Sequence, residues 1–347
     1  MWKTAVRSKG FWFGLALSCA GLWWALKGVG IDQLKEDLSN VPWLLVLAAG
    51  AMSVGGSVMR SYRWKIGVDC YTPVKFRRVC SAFFVGIFGL NVIPLRVGES
   101  LRVYVLGKNS SLNYSPIFAT VVFERVMDGL TVMTIFGTAL LVLPGADYTQ
   151  FLGRVPKEAL LVIPAMFAVG LGILYSFWKF PNAWISGLGR LFRAVGRRAE
   201  TLPKTAEQFS AGLIIFSNRK RLVTYIFWSF AAWFMMGFYL YVTGLILDLP
   251  LSLTQAMVVL TATVVGAMIP AAPGFVGTYH AFCKKTLTAF GVPASKALTF
   301  AVVSHAVPFI AHVLIGFVCV MRENIRISEI SAQASGAADL PAGGSKS

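Results

Sequence analysis

Three groups of side chains have the types and spacing for chemistry, and each lies in or beside apolar sequence. Arg96, Glu99 and Arg102 recur every three residues in "PLRVGESLR", so a helix brings them near one face. "ERVMD" supplies Glu124, Arg125 and Asp128, with the two carboxylates four apart on one helical face. "IPAAPGFVGTYH" carries Pro270, Pro273, Gly274, Gly277 and His280. A charge at the centre of a bilayer costs at least about 2.5–3.5 kcal/mol, so these groups must pair or face a wet cavity. One reading is an internal clamp in which Arg96, Arg102 and Arg125 pair with Glu99, Glu124 and Asp128. The other is a hydrated site whose arginines hold the phosphate of an anionic headgroup while the acids orient them. His280 is either a headgroup donor or proton-linked switch, or the cap of a helix start. His305 and His312, seven apart, share a face and could add to a cavity.

The elements that position these groups are membrane segments. Of the 347 residues, 56% are hydrophobic and 14% charged, against about 45–50% and 25% in soluble domains. Several apolar runs reach the ~20 residues that cross a hydrocarbon core. The net charge of +17 lies in short blocks between these runs, which favours cationic loops on one membrane face over a nucleic-acid partner. The five cysteines show no metal or disulfide spacing, no metal site is expected, and no nucleotide-binding loop or hydrolase motif is present. No cofactor is expected.

Charge sets the topology. Lys3, Arg7 and Lys9 precede a span at 11–29, and "GIDQLKEDLSN" after it is acidic, so the N-terminus is expected in the cytoplasm. A span at 42–59 returns to "RSYRWKIGVDCYTPVKFRR", expected to be a cytoplasmic loop with Arg60, Arg63 and Trp64 as interfacial anchors. Spans follow at 117–143, 159–178, 222–247 and 297–321, the last placing the C-terminus inside. The basic segment 179–221, with Trp178, Phe180, Trp184, Phe192 and Phe209, fits an amphipathic surface helix on anionic lipid. The run 79–93 is too short to cross, and the loops before and after it fall on the same side. It is therefore expected to form a re-entrant hairpin with Asn91, Pro94 and Gly98 near the turn. Residues 253–291 break at Pro270 and Pro273 and form either two crossings or a second re-entrant pair. Proline frees carbonyls and glycine permits close approach, and such backbone is tolerated in a bilayer only where it is buried or lines a cavity. Broken segments in two oppositely oriented halves point to a transporter-like inverted repeat, here matched in hydropathy only. The expected fold is thus an all-α polytopic membrane protein of about eight segments over 1–327, with a disordered tail at 328–347.

"NVIPLRVGESLRVYVL", "ERVMDGL" and "IPAAPGFVGTYHAF", in this order, resemble the lysylphosphatidylglycerol synthase transmembrane region, or flippase-like, family. The resemblance implies a multi-pass protein of the bacterial inner membrane or its archaeal counterpart that moves modified polar lipids between leaflets. It carries Asn91, Pro94, Arg96, Gly98, Glu99, Arg102, Glu124, Arg125, Asp128, Pro273, Gly274 and Gly277 as the family pattern. Two departures stand out. No aminoacyl-transferase domain follows the last span, so synthase activity is not expected, and His280 stands where the family usually has an acid. The expected function is a lipid translocator binding an anionic or aminoacylated headgroup in a central polar cavity. Its expected partners are membrane lipids, with a second copy of the chain or a separate lipid-modifying enzyme as protein partners. The alternatives are a membrane-embedded enzyme on a lipid-linked sugar or phosphate, and a non-transporting scaffold of an envelope-assembly complex. A reporter fused after Ser347 should read the cytoplasm and one inserted at Gly30 the opposite face; the same reading from both would overturn this topology.

Overall fold

The computed structural model describes residues 9–93, 98–110, 112–142, 159–194, 202–269 and 273–325. Pro94, Arg96, Pro270 and the tail expected at 328–347 lie outside them. The described residues form thirteen α-helices and two short 3-10 turns, with no strand among them. In chain order they are α1 Lys9–Leu26, α2 Ile31–Ser39, α3 Trp43–Tyr71, α4 Phe76–Val92, α5 Gly98–Ser110, α6 Tyr114–Val142 and α7 Ala159–Lys179. There follow α8 Pro181–Ala194, α9 Leu202–Gly212, α10 Arg219–Ile246, α11 Leu253–Met268, α12 Thr278–Ala289 and α13 Ala294–Arg322.

Four helices, α3, α6, α10 and α13, are long and apolar enough to cross a membrane. Their 28 or 29 residues span about 42–44 Å at ~1.5 Å per residue, more than a ~30 Å hydrocarbon core. Large apolar side chains such as Leu44, Leu141, Phe227 and Leu314 stay exposed on their outer faces, as lipid contact requires. Helices α1 and α7, of 18 and 21 residues, occupy the other two expected spans.

The two interrupted regions are both helical hairpins. Helices α4 and α5, of 17 and 13 residues, pack along one another. Gly98 sets their spacing: a Cβ there would collide with the Gly86 carbonyl oxygen and lie 2.6 Å from the backbone nitrogen of Leu90. Helices α11 and α12, of 16 and 12 residues, form the second hairpin over the segment expected either to cross twice or to re-enter. Its turn holds Gly274 at φ 73° and Gly277 at φ 95°, the left-handed region in which glycine carries no Cβ penalty. At Gly277 a Cβ would also strike the Ser18 carbonyl, so α1 packs directly on this turn.

The loop expected after residue 59 is corrected by the structure. Helix α3 continues through Tyr71, because no breaker occurs before Pro73, and proline disfavours helix in the residue preceding it. Arg60, Arg63 and Trp64 are consequently not interfacial anchors: Arg63 and Trp64 have no exposed surface at all. Gly98→Ala should lower stability by about 1–3 kcal/mol through overpacking, whereas Gly55→Ala, with nothing within 4 Å of the new Cβ, should cost nothing. Thermal unfolding in detergent checks both, and equal melting temperatures would remove the tight-hairpin account.

Candidate functional site

The buried charges of three elements meet in one network. Arg60 and Arg63 come from α3, Glu99 and Arg102 from α5, and Glu124, Arg125 and Asp128 from α6. Helix α10 adds neutral partners. Asp128 is met by Arg63 Nη1 at 2.6 Å, by Arg60 Nη2 at 3.3 Å and by Arg125 Nη2 at 3.3 Å. The Trp233 indole N–H also donates to Asp128, at 2.8 Å. Glu124 accepts from Arg102 with both carboxylate oxygens at 3.2 Å, pairs with Arg125, and lies 3.5 Å from Arg63 Nη2. Glu99 closes the chain, 2.7 Å from Arg102 and 3.5 Å from Arg125. Burial is deepest at the centre, where the Arg63 and Glu124 side chains are both 0% exposed, and falls off at Arg125, which is 42% exposed.

Aromatic rings form the rest of the shell. The Arg102 guanidinium lies 4.8 Å over Trp64, whose indole N–H is fixed on Thr120 at 2.9 Å. The Arg63 guanidinium lies 5.3 Å over Tyr225, and Arg60 stands between Trp233 and Phe83 at 5.1 and 5.7 Å. Cations packed on ring faces without water gain from the ring quadrupole, which offsets part of their desolvation. Arg60, Arg63, Arg102 and Arg125 face Glu99, Glu124 and Asp128, so the network carries one surplus positive charge.

That surplus is next to a cavity of about 260 Å³ between the two hairpins. Ile87, Leu90 and Asn91 at the tip of α4 form one wall; Thr263, Ala267, Phe275 and Tyr279 of the second hairpin form another. Helix α3 contributes Ser53, Ser57 and Arg60, and α13 contributes Ser304, His305, Phe309 and His312. Arg60 is the one formally charged side chain among the described lining residues, and its Nε is buried without a hydrogen-bond partner. His312 shares a 2.8 Å hydrogen bond with Ser57, and His305 stacks on Tyr279 at 4.6 Å.

The sequence candidates therefore divide. Glu99, Arg102, Glu124, Arg125 and Asp128 come together in the network but do not line the cavity, whereas Asn91 lines it. His305 and His312 both line it, as their shared face suggested. His280 stands apart from both groups. Its Nδ1 accepts the Gly277 backbone N–H at 3.4 Å at the start of α12, and its ring meets His305 edge to face at 5.0 Å. Arg60 and Arg63 are the site residues that sequence reasoning missed. For Arg60 the signal was the heptad-like recurrence of Ser53, Ser57, Arg60, Trp64 and Gly67 on one face of a long helix.

Two helical hairpins facing one another across an internal cavity, among long apolar helices, define an all-α polytopic membrane protein. The model of the lysylphosphatidylglycerol synthase transmembrane region matches residues 11–316, and the chain belongs to that family. A UPF0104 membrane protein of Pyrococcus horikoshii is 24% identical over 330 residues, covering 89% of this chain and 95% of that protein. One from Methanocaldococcus jannaschii is 23% identical over 313 residues, covering 84% and 89%. A Haloferax volcanii protein named glycosyltransferase AglD is 28% identical over 328 residues, which are 85% of this chain and 51% of that protein.

Removing one member of a buried ion pair leaves its partner uncompensated and costs about 3–5 kcal/mol. Asp128→Asn should destabilise on that scale, and Glu99→Gln, whose side chain is 25% exposed, clearly less. Unfolding curves for the two variants side by side provide the check; equal losses would mean that burial does not rank these charges.

Proposed function

We propose that this chain is a lipid translocator of the bacterial inner membrane, with Arg60 binding the phosphate of an anionic or aminoacylated headgroup inside the central cavity. The observation that carries this reading is the position of Arg60, held by Asp128 on one side and open to the cavity on the other. The surplus charge of the network makes the cavity wall attractive to an anion, and arginine suits phosphate geometrically. Asn91, Ser57, His305 and His312 supply neutral hydrogen-bonding groups around it. The volume is close to the lower end of ligand pockets, ~300–1,000 Å³, which suits a headgroup with its acyl tails left in lipid.

In this mechanism Glu124 and Asp128 do not touch the cargo. They keep Arg60 and Arg63 charged and oriented, so the headgroup meets a preorganised cation. Rocking of the two hairpins about the cavity would open it to one leaflet and then the other, in the manner of broken-helix transporters. By the charge of its loops, both termini face the cytoplasm. A separate enzyme that modifies the lipid, or a second copy of the chain, is the natural protein partner.

Similarity to a protein named as a glycosyltransferase favours a second reading, chemistry on a lipid-linked sugar or phosphate. Against it, no carboxylate is among the described residues that line the cavity, so acid–base chemistry there would fall to His305, His312 or Tyr279 without a carboxylate to orient them.

Lipids co-purifying with the protein should be enriched in one phosphate-bearing class relative to an unrelated membrane protein from the same cells. Arg60→Gln should lose most of that enrichment, about tenfold for one charged contact, and should destabilise less than Asp128→Asn because Arg63 and Arg125 still compensate Asp128. Bulk lipids alone in both preparations would remove the headgroup site, and turnover of a lipid-linked sugar in detergent would favour the enzyme.

A further inference from the structure

A second cleft, of about 320 Å³, opens at the end of the bundle where α10 stops and α13 begins. Asp37 and Asn40 reach it from α2 and its C-terminus, Asp248 from the end of α10, and Lys296 and Thr299 from the first turns of α13. None of these residues belongs to the network around Glu124 and Asp128, and none lines the central cavity.

Two oxygens in this cleft are buried without a hydrogen-bond partner, Asp37 Oδ2 and Thr299 Oγ1. Thr299 is 4% exposed, and it lines the cleft. Leaving such an acceptor unmet costs about 1–3 kcal/mol, so the cleft calls for a ligand that brings hydrogen-bond donors. Its charge is also unbalanced: Asp37 and Asp248 outnumber Lys296, leaving one negative charge. A cationic donor answers both conditions.

The kind of cation follows from the set. A divalent metal wants several carboxylate or carbonyl oxygens, and here two carboxylates stand beside a lysine ammonium that would repel it. A quaternary ammonium carries charge but no N–H and would leave both oxygens unmet. A primary ammonium has three donors, enough for Asp37, Thr299 and Asp248 together. An interfacial tryptophan adjoins the cleft, as a site at headgroup depth requires. Pro42 lines it, and the next residue, Trp43, is 43% exposed at the start of α3, the amphipathic ring expected at a membrane–water interface. We infer that this cleft binds the headgroup of an ethanolamine-type phospholipid, with the ammonium on Asp37, Asp248 and Thr299 and the phosphate on Lys296.

The test is native mass spectrometry of the full chain in detergent, titrated with ethanolamine and choline phospholipids of matched acyl chains. The ethanolamine lipid should be retained about tenfold better, because only it fills the orphaned acceptors. Asp37→Asn and Thr299→Val should each remove most of that preference. Arg60→Gln should leave it unchanged, which separates this site from the central cavity. Equal retention of both lipids by the wild-type chain would overturn the inference, whether or not the variants fold. So would a preference that a chelator abolishes, which would assign the cleft to a metal ion, or one that survives both substitutions.

Discussion

Asp128 and Glu124 are carboxylates buried within a helix that crosses apolar surroundings, and they can remain ionised only because arginines from other helices reach them. Arg60 and Arg63 come from α3, Arg102 from α5 and Arg125 from the turn beside them. All of these contacts except those of Arg125, which lie within α6, tie one element to another, so the network fixes where α3, α5 and α6 sit relative to one another. Burying the ions is unfavourable taken singly, and the arrangement is tolerated because every charge but Arg60 has two or more opposite partners, while Arg60, Arg63 and Arg102 also lie on aromatic faces. Conformational specificity, more than net stability, is what such a cluster contributes.

The hairpins follow from that constraint. Helix α5 carries Glu99 and Arg102 into the network, and its N-terminus must lie close against α4, which Gly98 and Gly86 permit. With α4 held there, its tip faces the Phe275–Tyr279 turn of the other hairpin and leaves the cavity between them. Arg60 belongs to both: its guanidinium is anchored on Asp128, and its exposed edge forms part of the cavity wall. The clamp and the cavity are thus adjoining layers of one arrangement, with Arg60 common to both.

Much of this was legible in residue order. The shortness of the run at 79–93 against the span of a bilayer gave the first hairpin, and the proline–glycine break near 270 gave the second. The four-residue spacing of Glu124 and Asp128 put both acids on one face. What escaped was the basic half of the network on α3. "MRSYRW" carries the composition of an interfacial anchor, and local composition does not reveal that the helix runs on through Tyr71 beside α10. Nor does spacing tell which charges line a cavity and which stand behind it, because that depends on partners more than 60 residues away, such as Arg63 with Asp128. Of the roles open to His280, the structure shows the cap: its place at the start of α12 ties it to the Gly277 backbone.

The central claim is that buried carboxylates hold Arg60 as the cation facing the cavity. An electron cryo-microscopy map of the protein in nanodiscs containing anionic phospholipid tests it most directly. The account predicts phosphate density within hydrogen-bonding distance of the Arg60 guanidinium, between the tip of α4 and Tyr279, with Asp128 still bound to the other edge of Arg60. A cavity filled by acyl chain alone, with Arg60 engaged entirely by Asp128 and no headgroup density beside it, would contradict the account.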